Sequence, residues 1–141
     1  MSINEIQDEL IEEFELLDDW MDRYQLLVDY AEELKKSPLP EVDKTESNLI
    51  DGCQSKVWFT CSFEDGKLFF KGDSDALLVK GIVALLIHVL SGHTPEEIAN
   101  ANLYFVEKIG LQEHLSPTRS NGVVAMLKQM KLYALAYGAK G

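Results

Sequence analysis

The chain has 141 residues, enough for one domain and too few for two of ordinary size, and we expect a single domain over residues 1–141. Hydrophobic residues make up 46% and charged residues 26%, a balance that allows a buried core and excludes a disordered chain. The net charge of −11 disfavours nucleic acid and anionic membranes as partners, and it favours a protein partner with a basic patch.

Apolar residues recur at helical spacing from Ile3 to Leu34, with many acids between them. This pattern predicts one long helix or two shorter ones broken near Asp18-Asp19, where an aspartate would cap the second helix. The acids are most simply a solvated face, with a docking site for a basic partner as the alternative. They are Glu5, Asp8, Glu9, Glu12, Glu13, Glu15, Asp18 and Asp19.

From Ser37 to Gly52 the helical pattern stops, which predicts a long loop of the kind that is often functional in a compact domain. Lys56 to Phe63 then alternates as a strand, and Lys67 to Lys71 returns after a hairpin turn at Glu64-Asp65-Gly66. Leu49-Ile50 could add a short extended edge to this hairpin.

Gly72-Asp73-Ser74-Asp75 predicts a turn and a helix cap ahead of an apolar, buried helix from Ala76 to Leu90. A capping box at Thr94 to Glu97 predicts a short helix, Leu103 to Ile109 another, and an apolar stripe after Ser116-Pro117 a final one. The predicted fold class is α+β, with a small antiparallel β-sheet packed by several helices.

Two cysteines and no secretory signal peptide favour a reducing, cytoplasmic setting, so Cys53 and Cys61 are interpreted as thiols. Cys61 falls on the apolar face of the first strand and is interpreted as a small hydrophobe. Cys53 follows Gly52 between a polar loop and that strand, where a thiol is either incidental or reactive. The chain has neither the ligand spacing of a zinc site nor enough cysteines for an iron–sulfur cluster, so we expect no metal.

Three histidines could serve a thiol nucleophile as its base. His88 is expected in the core because it lies on the apolar helix. His93 and His114 remain as candidate bases for a Cys-dependent hydrolase or a thiol peroxidase.

Arg119 stands at the start of the predicted last helix, where the helix dipole disfavours a cation. Either an acidic partner such as Asp73 or Asp75, or a role near the thiol, would explain it.

Three blocks of the sequence together resemble the SufE family of sulfur-acceptor proteins, in order and spacing, over essentially the whole chain. Cys61 is extra to the pattern. The blocks are Gly52-Cys53-Gln54-Ser55-x-Val57-Trp58, then Gly72-Asp73-Ser74-Asp75-Ala76 with Lys80-Gly81, and Ser116-Pro117-x-Arg119-Ser120-x-Gly122.

The resemblance implies an α+β fold related to the scaffold proteins of iron–sulfur cluster assembly. It implies that Cys53 accepts sulfur from the persulfide of a cysteine desulfurase, either SufS-like or CsdA-like, and passes it towards a cluster-assembly scaffold. Pyridoxal phosphate would belong to the desulfurase, and this chain would hold no cofactor. The remaining positions would shape the Cys53 loop or the partner surface: Gly52, Gln54, Ser55, Asp73, Asp75 and Arg119.

The acids Asp51 and Glu46 should raise the pKa of Cys53 and Lys56 should lower it, so the sign stays open. The working hypothesis is a thiol that ionises poorly in the free protein and is activated in the complex. Trp58 beside the loop could cover it, belong to the core, or serve a homodimer as readily as a partner.

Overall fold

The computed structural model describes residues 1–50 and 56–110 with their side chains, together with the helix backbone of 117–140 and its side chains from 123 to 139. Helix α1 spans Ile3–Glu15 and helix α2 spans Trp20–Glu33. Ser2 and Glu5 form a capping box at the start of α1, and the Asp19 carboxylate accepts a hydrogen bond from the Met21 amide. The predicted break at Asp18-Asp19 is confirmed.

The connection from α2 to the sheet is largely irregular, as predicted, with three short 3₁₀ turns at Leu34–Lys36, Glu41–Asp43 and Glu46–Asn48. Near its end, Leu49 bridges antiparallel to Trp58, which confirms the extended edge.

Strands β1 (Val57–Glu64) and β2 (Lys67–Ser74) form an antiparallel hairpin, with Val57 opposite Ser74 and Glu64 opposite Lys67. Asp65 and Gly66 both have positive φ, 51° and 77°, as a two-residue hairpin turn with the right twist requires. Val57 and Phe59 are buried, whereas Phe63 near the turn is exposed, so the buried face of β1 ends before the hairpin tip.

Helix α3 (Leu77–Leu90) packs against both the hairpin and α2 and lies at the centre of the core. Gly81 makes the close approach of α3 to α2 possible, since a Cβ atom there would lie 2.5 Å from the Leu27 carbonyl oxygen. The largest fully buried side chains include Phe14, Phe59, Leu86, Ile98 and Phe105.

The remaining helices complete the α+β fold: α4 (Pro95–Asn100), α5 (Phe105–Ile109) and α6 (Pro117–Lys140). Thr94 and Glu97 form the predicted capping box of α4, and Gly110 ends α5 in the left-handed conformation. None of the helices in the described ranges is long and apolar enough to cross a membrane.

Two details of the prediction around α3 were wrong. Gly72 to Ser74 are the last residues of β2 rather than a turn, because their backbone pairs with β1 as far as Val57. Ala76 stands at the N-cap position of α3, and its side chain makes no capping hydrogen bond. His88 is exposed rather than buried in the core, because α3 turns that side away from the sheet, next to Tyr30 of α2.

Candidate functional site

Cys53 lies outside the described residues, together with its neighbours Gly52, Gln54 and Ser55. Hydrogen bonds fix the described residues on either side of this segment. Ile50 is buried, and its amide donates a 2.8 Å hydrogen bond to the Val57 carbonyl oxygen. The segment that carries Cys53 therefore starts from a point fixed on the first residue of β1.

The other end of that segment is held by the residues that link β2 to α3. The Asp75 carboxylate accepts a 3.0 Å hydrogen bond from the Lys56 amide, and the Asp75 amide donates one of 3.2 Å to the Lys56 carbonyl oxygen. The Ser74 hydroxyl donates to that same carbonyl oxygen at 2.8 Å and accepts from the Ala76 amide. Ser74 and Asp75 therefore fix the position of Lys56, the first described residue after the segment that carries Cys53.

Asp73 lies beside this anchor at the centre of a cluster of charges. Its carboxylate oxygens lie 2.8 Å from Lys44 Nζ and 3.2 Å from Lys80 Nζ, and 18% of its side chain is exposed. Burial opposes ionisation of Asp73, but hydrogen bonds from Lys44, the Ser74 amide and Lys80 outweigh it and hold the pKa of the carboxyl below its ordinary value. The cluster ties the long connection, β2 and α3 together.

Lys44 also links the cluster to a fourth element, strand β1, through Trp58. Its ammonium group lies 5.8 Å from the centre of the Trp58 ring, within the range of a cation–π contact, and 2.7 Å from Glu41. Hydrogen bonds to Asp73 and Glu41 raise the pKa of Lys44, so it stays charged at neutral pH. Trp58 is half-buried, neither a core residue nor a free surface ring.

Sequence reasoning did not single out Lys44. It stands in a polar run without periodicity, and no local signal distinguishes it from the lysines around it. Only the tertiary structure brings it to Asp73.

Arg119 lies in the first turn of α6, where the structure describes only the backbone. A pairing of its side chain with Asp73 or Asp75 therefore stays a prediction. Among described residues, the groups bonded to the two carboxylates are Lys44, Lys80 and backbone amides.

The candidate base His93 is already engaged by the fold. It is buried, with Nδ1 at 3.3 Å from the Leu90 carbonyl oxygen and Nε2 at 3.0 Å from that of Met1. Both ring nitrogens thus face backbone acceptors rather than a thiol. His114, the other candidate, lies outside the described residues.

Cys61 is half-buried on β1, and burial raises the pKa of its thiol to about 11. A thiol with that pKa is almost wholly protonated at neutral pH and is a poor nucleophile. The interpretation of Cys61 as a packing residue fits this environment. Over the part of the chain that the structure describes, no three His, Cys, Asp or Glu side chains come together as a metal site would require.

A family comparison matches residues 8–134 to SufE, described as "Fe-S metabolism associated domain". The chain belongs to the SufE family. It is 43% identical over 128 residues to an uncharacterized SufE-like protein of Synechocystis, covering 91% of this chain and 79% of that protein. It is 40% identical over 129 residues to one of Rhizobium meliloti, covering 88% and 91%.

A plant relative and a solved structure are also similar to this chain. SufE-like protein 1, chloroplastic/mitochondrial, of Arabidopsis thaliana is 37% identical over 134 residues, which are 94% of this chain and 36% of the plant protein. The solution structure of a hypothetical protein from Thermus thermophilus superimposes with a TM-score of 0.76 at 26% identity, covering 93% and 94% of the two chains. The SufE-like α+β fold is thereby confirmed, and family membership associates the chain with iron–sulfur metabolism.

Proposed function

We propose that this protein is a sulfur carrier: Cys53 takes sulfur from the persulfide of a cysteine desulfurase, stimulates that enzyme, and passes the sulfur towards iron–sulfur cluster assembly. Membership of the SufE family carries the proposal, because Cys53 stands in the most specific of the three sequence blocks. The second cysteine, Cys61, is unsuited to the role because burial suppresses its ionisation.

The anchors around residues 51–55 support this function. Cys53 is three residues from both Ile50 and Lys56 in the sequence, and hydrogen bonds to Val57 and Asp75 fix those two residues. A short segment fixed at both ends can present a thiol to a recessed partner site at little entropic cost. Asp73, Asp75 and Arg119, with Gly52, Gln54 and Ser55, are proposed to shape this segment or the partner surface.

The chemical step is a thiolate–persulfide exchange. The Cys53 thiolate attacks the outer sulfur of the desulfurase persulfide, a new S–S bond forms, and the S–S bond to the desulfurase cysteine breaks. The desulfurase cysteine leaves as a thiolate. The transferred sulfur is now the outer sulfur of a persulfide on Cys53. No electrons are gained or lost overall, so this chain needs neither a redox cofactor nor a metal for the step. Pyridoxal phosphate would serve only the partner.

The first experiment is intact-mass spectrometry after incubation with a cysteine desulfurase and free cysteine. Wild type and Cys61→Ser should gain one sulfur atom that a reductant removes, and Cys53→Ser should gain none. Both SufS-like and CsdA-like desulfurases belong in the test. Loading of Cys61 instead of Cys53, or no gain with either desulfurase, would overturn the proposal.

The same proposal sets the compartment and the recipient. Cys53 has to remain a free thiol to accept sulfur, which a reducing compartment favours, so we propose that the chain works in the cytoplasm beside its desulfurase and a downstream scaffold. The plant relative carries chloroplastic/mitochondrial in its name.

A further inference from the structure

A groove of about 520 Å³ opens between α1, α2, β2 and α3, apart from the charge cluster at Asp73. Its volume is in the range that holds a small ligand or a few side chains of a partner. Its floor is apolar and its rim is acidic. We call it the acidic groove; its floor includes Leu26, Phe70 and Ile87, and its rim carries Glu13, Asp29 and Glu33.

The carboxylates around the acidic groove have few positive charges beside them. None of the described residues that line it is a lysine or an arginine, and His88 is the one lining side chain there that can become cationic. Glu33 pairs with Lys36 at 2.7 Å, but both side chains are mostly exposed and such a pair is easily exchanged. A cation that entered the groove would meet three carboxylates at its rim.

The Tyr30 hydroxyl lies close to the acidic side chains of the groove. Its hydroxyl donates a 2.8 Å hydrogen bond to Glu13. Burial, this hydrogen bond and the nearby charges of Glu13, Glu33 and Glu9 all raise the pKa of Tyr30. Burial is the largest of these causes and disfavours any charge, but the carboxylates of Glu13, Glu33 and Glu9 would favour a cationic side chain beside Tyr30.

The acidic groove lies next to a smaller cleft at the Asp73 cluster. Leu34 lines both this groove and a small cleft of about 50 Å³ whose other walls include Gly72, Asp73 and Lys80. A partner segment that fills the groove and extends past Leu34 would therefore reach the cleft lined by Asp73 and Lys80.

We propose that the acidic groove receives an apolar segment of the desulfurase that carries a lysine or an arginine, and that this contact aligns the two cysteines. The inference rests on the proposed function and names the docking surface for it. The apolar floor would accept the aliphatic part of the segment, and the rim would accept its charge. This combination of an apolar centre and charged edges is common in protein interfaces.

Glu33→Lys and Glu32→Lys form a matched pair for the test. Both sites lie in the last turn of α2, and their side chains are 55% and 57% exposed. Each makes a 2.7 Å pair with the lysine three residues later, so each substitution makes the same change of charge and loses an equivalent pair. Of these two residues, Glu33 alone lines the acidic groove.

The measurement is the Kd for the desulfurase that loads Cys53, by calorimetry at low and at high salt. We expect Glu33→Lys to raise the Kd roughly tenfold over Glu32→Lys at low salt, with Glu33→Gln in between and the difference shrinking as salt screens the charges. At saturating desulfurase, Glu33→Lys should still gain one sulfur on Cys53.

Equal Kd values for Glu33→Lys and Glu32→Lys, within a factor of two, would overturn the groove proposal and leave sulfur transfer intact. Failure of every desulfurase to load wild-type Cys53 would overturn the proposed function and the docking surface with it. The two failures are therefore distinguishable.

Discussion

Replacing Gly81 by alanine tests whether the contact between α2 and α3 is as close as the structure shows. The added Cβ atom would lie 2.5 Å from the Leu27 carbonyl oxygen, 2.9 Å from its carbonyl carbon and 3.0 Å from its Cβ atom. Non-bonded carbon atoms prefer about 3.5–4.0 Å, so the helices would have to separate by about 1 Å. The atoms opposed are mostly backbone, so a rotamer change cannot relieve the clash.

The expected cost follows from two opposing effects. Overpacking a well-packed core costs about 1–3 kcal/mol, and a backbone clash belongs at the upper end of that range. Alanine in a helix interior recovers about 1 kcal/mol relative to glycine. The net loss in the free energy of unfolding should be about 2 kcal/mol, which lowers the Tm by about 5–10 °C in a domain of this size.

The assay is thermal unfolding of Gly81→Ala beside Gly138→Ala in α6. A Cβ atom at Gly138 would meet the Cβ of Pro95 at 3.6 Å, an ordinary contact, so this variant should keep or slightly raise the Tm. A Tm for Gly81→Ala at or above that of wild type would refute the reasoning. The higher helix propensity of alanine would then outweigh the steric clash with Leu27.

Three further predictions concern Asp75, Asp73 and Cys61. Asp75→Ala removes the carboxylate that accepts from the Lys56 amide, so Cys53 should be alkylated several-fold faster, and an unchanged rate would argue against this anchor. The folded-state pKa of Asp73 is lowered, so the stability it contributes should be full above about pH 5 and be lost as the pH falls through that lowered pKa. Urea unfolding of wild type and Asp73→Asn should therefore differ at pH 7, and the difference should shrink as the pH falls below about 4, the ordinary pKa of an aspartate. In Cys53→Ser the remaining thiol, Cys61, should react slowly at pH 8 and speed up only as the pH nears 11, and fast labelling at pH 8 would contradict its burial.

Local signals in the sequence determined the secondary structure well. Asp19, Thr94 and Gly110 act where their own side chain or backbone conformation decides a helix end, so their roles need no distant contact. The hairpin turn at Asp65-Gly66 is local in the same sense. The family also follows from sequence, because the block around Cys53 is specific by itself.

The tertiary structure decided what long-range contacts control. Gly72 to Ser74 look like a turn but extend β2, because β1 offers hydrogen-bond partners that a local pattern does not show. Lys44 reaches Asp73 across 29 positions of sequence, as their residue numbers give, and no spacing rule connects two such residues. His88 is exposed because the packing of α3 against α2 and the sheet leaves that side open. The sequence by itself thus determined the elements and the family, whereas the charge cluster and the acidic groove exist only once distant segments pack together.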